Sequence, residues 1–361
     1  MFINLKREYA LLISIVALIL SGVYGDILAE TAVGNISGLI LIFAVVVYSA
    51  VGVAHHAEFL AERFGEPYGT LILTMSAVTV EVIIISIMML HAHNPHLARD
   101  TIYSAIMLDI NGLLGLSALI GGLKFGEQPY NLDSSNSYIS MLIVAIGISM
   151  VLPHYIVNPS DMDIFMWFIV IIFVALYFVF TKIQLKNHRY FFEYRVDSSI
   201  EVSKDREELG INTVYHITLL VTYIVVIGFL SEILALFMDN TLNIIGLPPA
   251  LGALGVAVIS ASPELIVAVR ASLNNRMQSV INIAFGASLA TLLLTIPAVI
   301  IIGKIFSLHI DLALSDTQEL LLGLTLVVGI VNFNDGETNM LEGFLHSILF
   351  ITFAFMLFMP N

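Results

Sequence analysis

The chain contains no cysteine among its 361 residues. Disulfides and thiolate metal sites are therefore excluded. Charge is nearly as scarce. Only 12% of residues are Asp, Glu, Lys or Arg, against roughly 25% in an ordinary soluble domain. Basic residues number 14 and acidic residues 28, a formal net charge of −14, which argues against a nucleic-acid partner and suits attraction of cations. So few charges cannot cover a water-facing surface. What fills the chain instead is apolar: 58% hydrophobic residues and a mean hydropathy of +0.96. The fold class expected is an all-α polytopic membrane protein whose solvent is lipid.

Runs of about twenty apolar residues predict eleven transmembrane helices. They lie near 9–28, 34–54, 68–92, 101–123, 138–157, 162–182, 214–238, 248–270, 279–306, 318–333 and 339–359. The first run lacks a small-residue cleavage site and reads as a retained helix rather than a signal peptide. With the N-terminus in the cytoplasm, the inner loops hold Lys6, Arg7, Arg63, Lys124, Lys182, Lys186, Arg189, Arg195, Lys204, Arg206, Arg270 and Arg276. The outer loops hold only Arg99 and Lys304. This asymmetry follows the positive-inside rule and predicts a multi-pass protein of a cytoplasmic membrane, N-terminus inside and C-terminus outside.

A polar stretch, "KNHRYFFEYRVDSSIEVSKDREELG", interrupts the apolar runs after the sixth helix. It divides the chain into a lead helix (1–33), a first five-helix group (34–185), a cytoplasmic linker (186–213) and a second five-helix group (214–361). The mixed acids and His188 of the linker also allow a regulatory element.

Two glutamates stand where acid is costly. Glu81 lies in "SAVTVEVIIISIMML" and Glu264 in "ISASPELIVAVR". Aligned on each other, they bring Thr79 onto Ser262. Further on, "AIMLDINGLLGLSALIGG" aligns with "AFGASLATLLLTIPAVII" and brings Asp109 onto Ser288. The third helix runs outward and the eighth inward, so the two groups form an inverted repeat, an arrangement that places ion sites near the bilayer midplane. An intramembrane acid is functional by default. Two such acids can hold protons or a cation. Ca²⁺ takes six to eight oxygens, and Ser76, Thr79, Ser260 and Ser262 are candidate supporting ligands beside Glu81 and Glu264. Pro263 lacks an N–H and is expected to break its helix and free carbonyl oxygens just before Glu264. Asp109, Asn111, Asn282 and Ser288 are candidates for a supporting shell or proton path. Glu232, His154 and His346 read as interfacial or satisfied polar residues, and His55, His56 and Glu58 as an interfacial face at a cytoplasmic helix end.

On these residues the sequence resembles the cation/calcium exchanger superfamily, and within it the bacterial calcium/proton antiporter branch. The resemblance runs from about His55 onward. It is strongest in "HHAEFLAERFGEPYGTLILTMSAVTVEV" and "SASPELIVAVRASLNNRMQSVINIAFGASLATLLLTIPAV". It implies a lead helix plus two inverted five-helix repeats, with Glu81 and Glu264 exchanging a cation for protons. Relatives often carry Gly-Asn three to four residues before each glutamate. Here Ala77-Val78 and Ser260-Ala261 stand there, which removes two amide oxygens.

The function expected is a secondary antiporter exporting cytoplasmic Ca²⁺ against inward protons. Na⁺ or K⁺/H⁺ antiport is the alternative, and a cation channel a more distant one. No enzyme is expected, since no His-Glu-x-x-His protease motif occurs. No permanently bound cofactor is expected. The partners are the bilayer, inorganic cations and protons, with homo-oligomerisation left open.

Overall fold

The computed structural model describes residues 8–64, 68–92, 94–184 and 213–359. Eleven helical rods account for nearly all of them. They are α1 (Tyr9–Ala29), α2 (Ala32–Phe64), α3 (Tyr68–Ala92), α4 (Leu97–Phe125), α5 (Leu132–Tyr155), α6 (Pro159–Lys182), α7 (Thr213–Ile245), α8 (Ala250–Leu273), α9 (Met277–Ile305), α10 (Asp316–Asn332) and α11 (Met340–Met356). Among the described residues nine are long and apolar enough to cross a membrane, and α11 is a shorter apolar helix. Of the expected 186–213 linker, residues 186–212 lie outside the described residues and Thr213 begins α7.

Local chemistry sets the ends of the rods. Gly126, at φ +83°, follows the last turn of α4, and Gly246, at φ +73°, follows α7. Only glycine adopts that backbone without strain. The side chain of Asn131 caps α5 and that of Asn339 caps α11, while Ser315 and Gln318 form a capping box on α10. Pro159 occupies the first position of α6, where a missing N–H costs nothing. The second rod overruns its predicted end by ten residues. Its last three turns, "VAHHAEFLAERF", mix charged and apolar residues but keep helical spacing, so the helix extends beyond the hydrocarbon.

Three rods contain a π-helical turn: Leu108–Leu113 in α4, Gly147–Val151 in α5 and Thr291–Thr295 in α9. Such turns widen the spiral and re-aim side chains, and they concentrate at functional positions. The run around Pro263 behaves differently from its expectation. It does not break the helix; α8 continues as α-helix from Ala250 to Leu273 with Pro263 inside it. The proline removes one donor, so the carbonyl of Ile259, one turn back, loses its bond while neighbouring bonds hold the rod together. Ser262 also donates to the Val258 carbonyl and Ser260 to the Ala257 carbonyl, neither of which is the carbonyl that Pro263 frees.

Packing sorts the rods into two apolar bodies. One gathers Ile42, Val46, Ile84, Ile227 and Leu230 from α2, α3 and α7, with Leu11 of α1. The other gathers Ile106, Leu142, Phe173, Phe285 and Leu293 from α4, α5, α6 and α9. Within the first, Gly38 sits against the Phe237 ring and Gly52 against the Tyr223 ring, so α2 and α7 run antiparallel at close approach. Within the second, Gly122 and Gly343 press α4 against α11 backbone to backbone. Small residues at such crossings are how spanning helices gain dispersion contact when lipid offers no hydrophobic drive.

The contacts come in matched sets. α2 packs on α8 as α7 packs on α3. α4 packs on α8 as α9 packs on α3, and α4 on α11 as α9 on α6. The outward faces carry exposed apolar side chains such as Ile171, Phe178, Phe229, Val331 and Ile351, as a lipid-facing surface requires. A two-stranded antiparallel ribbon, β1 (Glu127–Pro129) with β2 (Glu337–Asn339), joins the α4–α5 and α10–α11 connections at one end. At that end the last turns of α2, α4, α6 and α8 place Arg63, Lys124, Lys182 and Arg270, which also favour the negative helix termini. Arg99 and Lys304 lie at the opposite end, where Arg99 bonds the Ala313 carbonyl and Lys304 pairs with Asp163.

Candidate functional site

α3, α4, α8 and α9 cross near mid-depth, and a cavity of about 490 Å³ opens between them. Its wall includes Glu81 of α3, Asp109 of α4 and Glu264 of α8. The three carboxyl groups lie within electrostatic reach of one another. From this depth the cavity extends past Tyr138, Tyr177 and Phe180 to Glu58, Thr181 and Gln184, at the end that carries Arg63 and Lys182. Beyond the glutamates, toward the Arg99 end, the rods are packed shut. There α3 packs against α9, and Ile84, Ile85 and Met88 of α3 and Leu292, Leu293 and Val299 of α9 are all buried. One end of the pathway is open and the other sealed. A volume near 490 Å³ is room for roughly fifteen waters, so a hydrated ion fits with space to spare.

The carboxylates are held differently. Glu81 is 4% exposed. Thr295 donates to its Oε2 at 2.7 Å, and Thr291 donates to Oε1 at 3.2 Å and Oε2 at 3.1 Å. Glu264 is half-buried, faces the cavity and makes no protein hydrogen bond among the described residues. Asp109 is 2% exposed; its Oδ2 accepts from Ser288 at 3.1 Å and its Oδ1 has no protein partner. Burying acids this deeply is expensive unless they are protonated, paired or bound to a cation.

The other expected residues divide. Ser76, Ser260 and Asn282 also line the cavity. Ser76 donates to the Ile72 carbonyl at 2.7 Å, and the Asn282 side-chain oxygen accepts from Gln278 at 2.9 Å. Ser288 acts through Asp109. Thr79 and Ser262, the aligned hydroxyls, are not on the cavity wall. Each bonds the carbonyl four residues back in its own helix, Met75 and Val258. Asn111 is also elsewhere. It sits two residues past Asp109 on a π turn, fully buried. It donates to Thr325 of α10 at 2.8 Å, and its oxygen meets the His346 Nδ1 of α11 at 2.8 Å. It fastens α4 to its neighbours rather than lining the cavity.

Thr291 and Thr295 are functional candidates that sequence reasoning missed. A signal existed: "TLLLT" places two hydroxyls four apart in an apolar run, hence on one helix face.

The histidine pair at the end of α2 also resolves. His55 is exposed. His56 is buried, sharing a 2.9 Å Nδ1–Nδ1 hydrogen bond with His216 of α7, while its Nε2 meets Glu8 at 3.3 Å. Tyr215 and Tyr223 also donate to Glu8, at 2.9 Å and 3.2 Å. This network joins α1 to α2 and α7. No group of three or more His, Asp or Glu side chains is arranged to hold a metal ion among the described residues. The cavity carboxylates share a wall but are not gathered into a finished ligand cage.

Comparison with known proteins agrees with this architecture. The family described as "Sodium/calcium exchanger protein" matches residues 34–186 and 215–359. The chain is 32% identical to the sodium-potassium/proton antiporter ChaA of Escherichia coli (strain K12) over 355 residues, 98% of this chain and 96% of that protein. It is 25% identical to the Ca²⁺/H⁺ antiporter ChaA of Bacillus subtilis (strain 168) over 234 residues, 63% of this chain and 66% of that one. Among solved structures, native YfkE superposes with a TM-score of 0.75 at 19% identity, covering 97% of this chain and 99% of that one. The H⁺/Ca²⁺ exchanger CAX superposes with a TM-score of 0.66 at 18% identity, covering 99% and 89%. At such identities the structures speak for the fold.

Proposed function

The chain belongs to the sodium/calcium exchanger family, and from that premise we propose that it exports a cytoplasmic cation, with Ca²⁺ the first reading, in exchange for protons carried by Glu81 and Glu264. The observation that carries this reading is the wall of one cavity. Glu81, Glu264 and Asp109 meet there, at the depth where the path closes. Three acids in one low-dielectric space repel one another when ionised. A divalent cation removes that repulsion, and so do protons, but not both together. Binding of one therefore expels the other, and the two fluxes are coupled.

In this account the basic end faces the cytoplasm, by the positive-inside rule. The cavity open at that end is then the inward-facing state. The two five-helix groups are inverted repeats. The antiparallel packing of α2 on α7 and the matched contact sets support that relation. Movement of α2 and α7 against the α3–α4–α8–α9 core would close the inner mouth and open the outer one.

Na⁺ or K⁺ is a second reading, favoured by the name of the Escherichia coli relative, which is similar over nearly the whole chain. The absent amide oxygens beside each glutamate also favour an ion that needs fewer ligands. Everted membrane vesicles with a trapped pH dye distinguish the readings when Ca²⁺, Na⁺ and K⁺ are added in turn. Saturable Ca²⁺-evoked proton movement supports the first reading. Movement with Na⁺ or K⁺ alone replaces it with the second.

A further inference from the structure

The two midplane glutamates hold repeat-related positions, yet their surroundings are unequal. Glu264 is half-buried with no protein hydrogen bond among the described residues, whereas two hydroxyls of α9 hold Glu81. Both hydroxyls come from a π-helical turn, Thr291–Thr295, where the amide of Ile296 bonds back to the Thr291 carbonyl. That i→i+5 pattern puts more than four residues in a turn. Residues four apart share one face of the rod, so Thr291 and Thr295 converge on one carboxylate.

The carbonyl four residues earlier is an alternative acceptor for a helical hydroxyl, and Thr79 and Ser262 use it. Thr291 and Thr295 instead donate across the α3–α9 interface to Glu81. The carboxylate they hold is buried, and Thr291 itself lines the cavity. Glu81 lines the same cavity.

We infer that Thr291 and Thr295 are positioning residues for transport: they fix the Glu81 carboxylate on the cavity wall as a pre-organised ligand, while Glu264 is the mobile ligand that closes on the ion. This inference rests on the antiporter reading above. Fixing one of two ligands before the ion arrives cuts the ordering cost of binding. It also fixes where the ion docks first, on the α3–α9 side, so that the α8 side moves to it. The titratable groups that share the space are Glu264, Asp109, Tyr138, Tyr177 and Glu58; α7 and α9 contribute none to the cavity wall.

The test is cation-dependent proton exchange in proteoliposomes for Thr291→Val, Thr295→Val, the double variant, Thr295→Ser and Glu81→Gln. Valine keeps the shape and removes the donor. The KM for the transported cation is expected to rise about tenfold for Thr295→Val and further for the double variant, with kcat within about twofold of the parent. Thr295→Ser is expected to restore the parent KM. Melting temperature in detergent without the cation is measured alongside, so that a folding defect is visible. A folded double variant with an unchanged KM overturns the inference, as does a serine variant no better than valine. If the double variant does not fold, the comparison of Thr295→Ser with Thr295→Val decides in the same way. Glu81→Gln separates the two levels: if it exchanges like the parent, the antiporter reading itself fails. If it is silent while the valine variants are unchanged, only the positioning role fails.

Discussion

Ser288 of α9 donates a 3.1 Å hydrogen bond to Asp109 of α4, and these two residues, 179 positions apart, are the pair that the internal alignment superimposes. In a molecule of two inverted halves, a residue touches its own counterpart only where both lie close to the relating axis. The contact therefore marks that axis, and it runs beside the cavity. Asp109 brings a third carboxylate to the ion space at this point, one that a reading of the two glutamates alone would have ranked second.

Asp109→Asn removes that charge and keeps an acceptor for Ser288. The cation KM is expected to rise about tenfold, and more steeply for a divalent than for a monovalent ion, because charge compensation scales with the ion's charge. Ser288→Ala removes a hydrogen bond only and is expected to change KM about threefold. Exchange assays with both ions check this. Equal KM in Asp109→Asn and parent would place Asp109 outside the transport path.

The absence of cysteine makes the access pathway directly testable, since an introduced cysteine is the only one. Gln184→Cys and Val267→Cys line the open cavity. Ile85→Cys and Leu293→Cys lie in the sealed layer. A membrane-impermeant thiol reagent added to the cytoplasmic face is expected to modify the first pair and spare the second. Modification of the first pair from the opposite face only would reverse the proposed orientation.

Pro263→Ala restores a donor for the Ile259 carbonyl in a helix that is already continuous. The melting temperature is expected to stay level or rise by a few degrees, because an interior proline costs a helix up to about 3 kcal/mol. Exchange is expected to slow as α8 stiffens near Glu264. Thermal unfolding and initial rates on the same preparation check both. A marked fall in melting temperature would mean that the proline terminates helix in another state.

Glu8→Gln tests the anchoring of α1. It removes the carboxylate that accepts from Tyr215, Tyr223 and His56, at a stability cost on the order of 2 kcal/mol. Amide hydrogen exchange is expected to quicken in α1 and at its contacts with α2 and α7. The cation KM is expected to stay unchanged, because none of the four side chains lines the cavity. A changed KM without a change in protection would show that the network feeds the transport site.

Much of this was legible in the sequence for a simple reason. Lipid forces backbone groups to bond within their own segment, so apolar length alone announces the rods, and a glutamate such as Glu264 inside one stands out. The rest depended on details that apolar length does not encode. The overrun of α2 to Phe64 was hidden because charged residues can continue a helix into water. Pro263 suggested a break, but one missing donor does not end a helix whose neighbouring backbone bonds remain. Asn111 and Thr291 lie in π turns that apolar length does not announce, and only the packed structure shows Asn111 bonding to α10 and α11 and both threonines bonding to Glu81. The Glu8 network joins residues more than 200 positions apart, such as Glu8 and Tyr223, and only the tertiary packing brings them together.

Coupling of the two fluxes is expected to rest on Glu81 and Glu264. Cation and proton movement followed together in liposomes with an imposed pH gradient, for the parent, Glu81→Gln and Glu264→Gln, tests this. Saturable cation transport that dissipates the gradient is expected in the parent, and neither flux in either variant. Cation transport that persists in a variant while the proton flux is unchanged would overturn the paired-carboxylate mechanism.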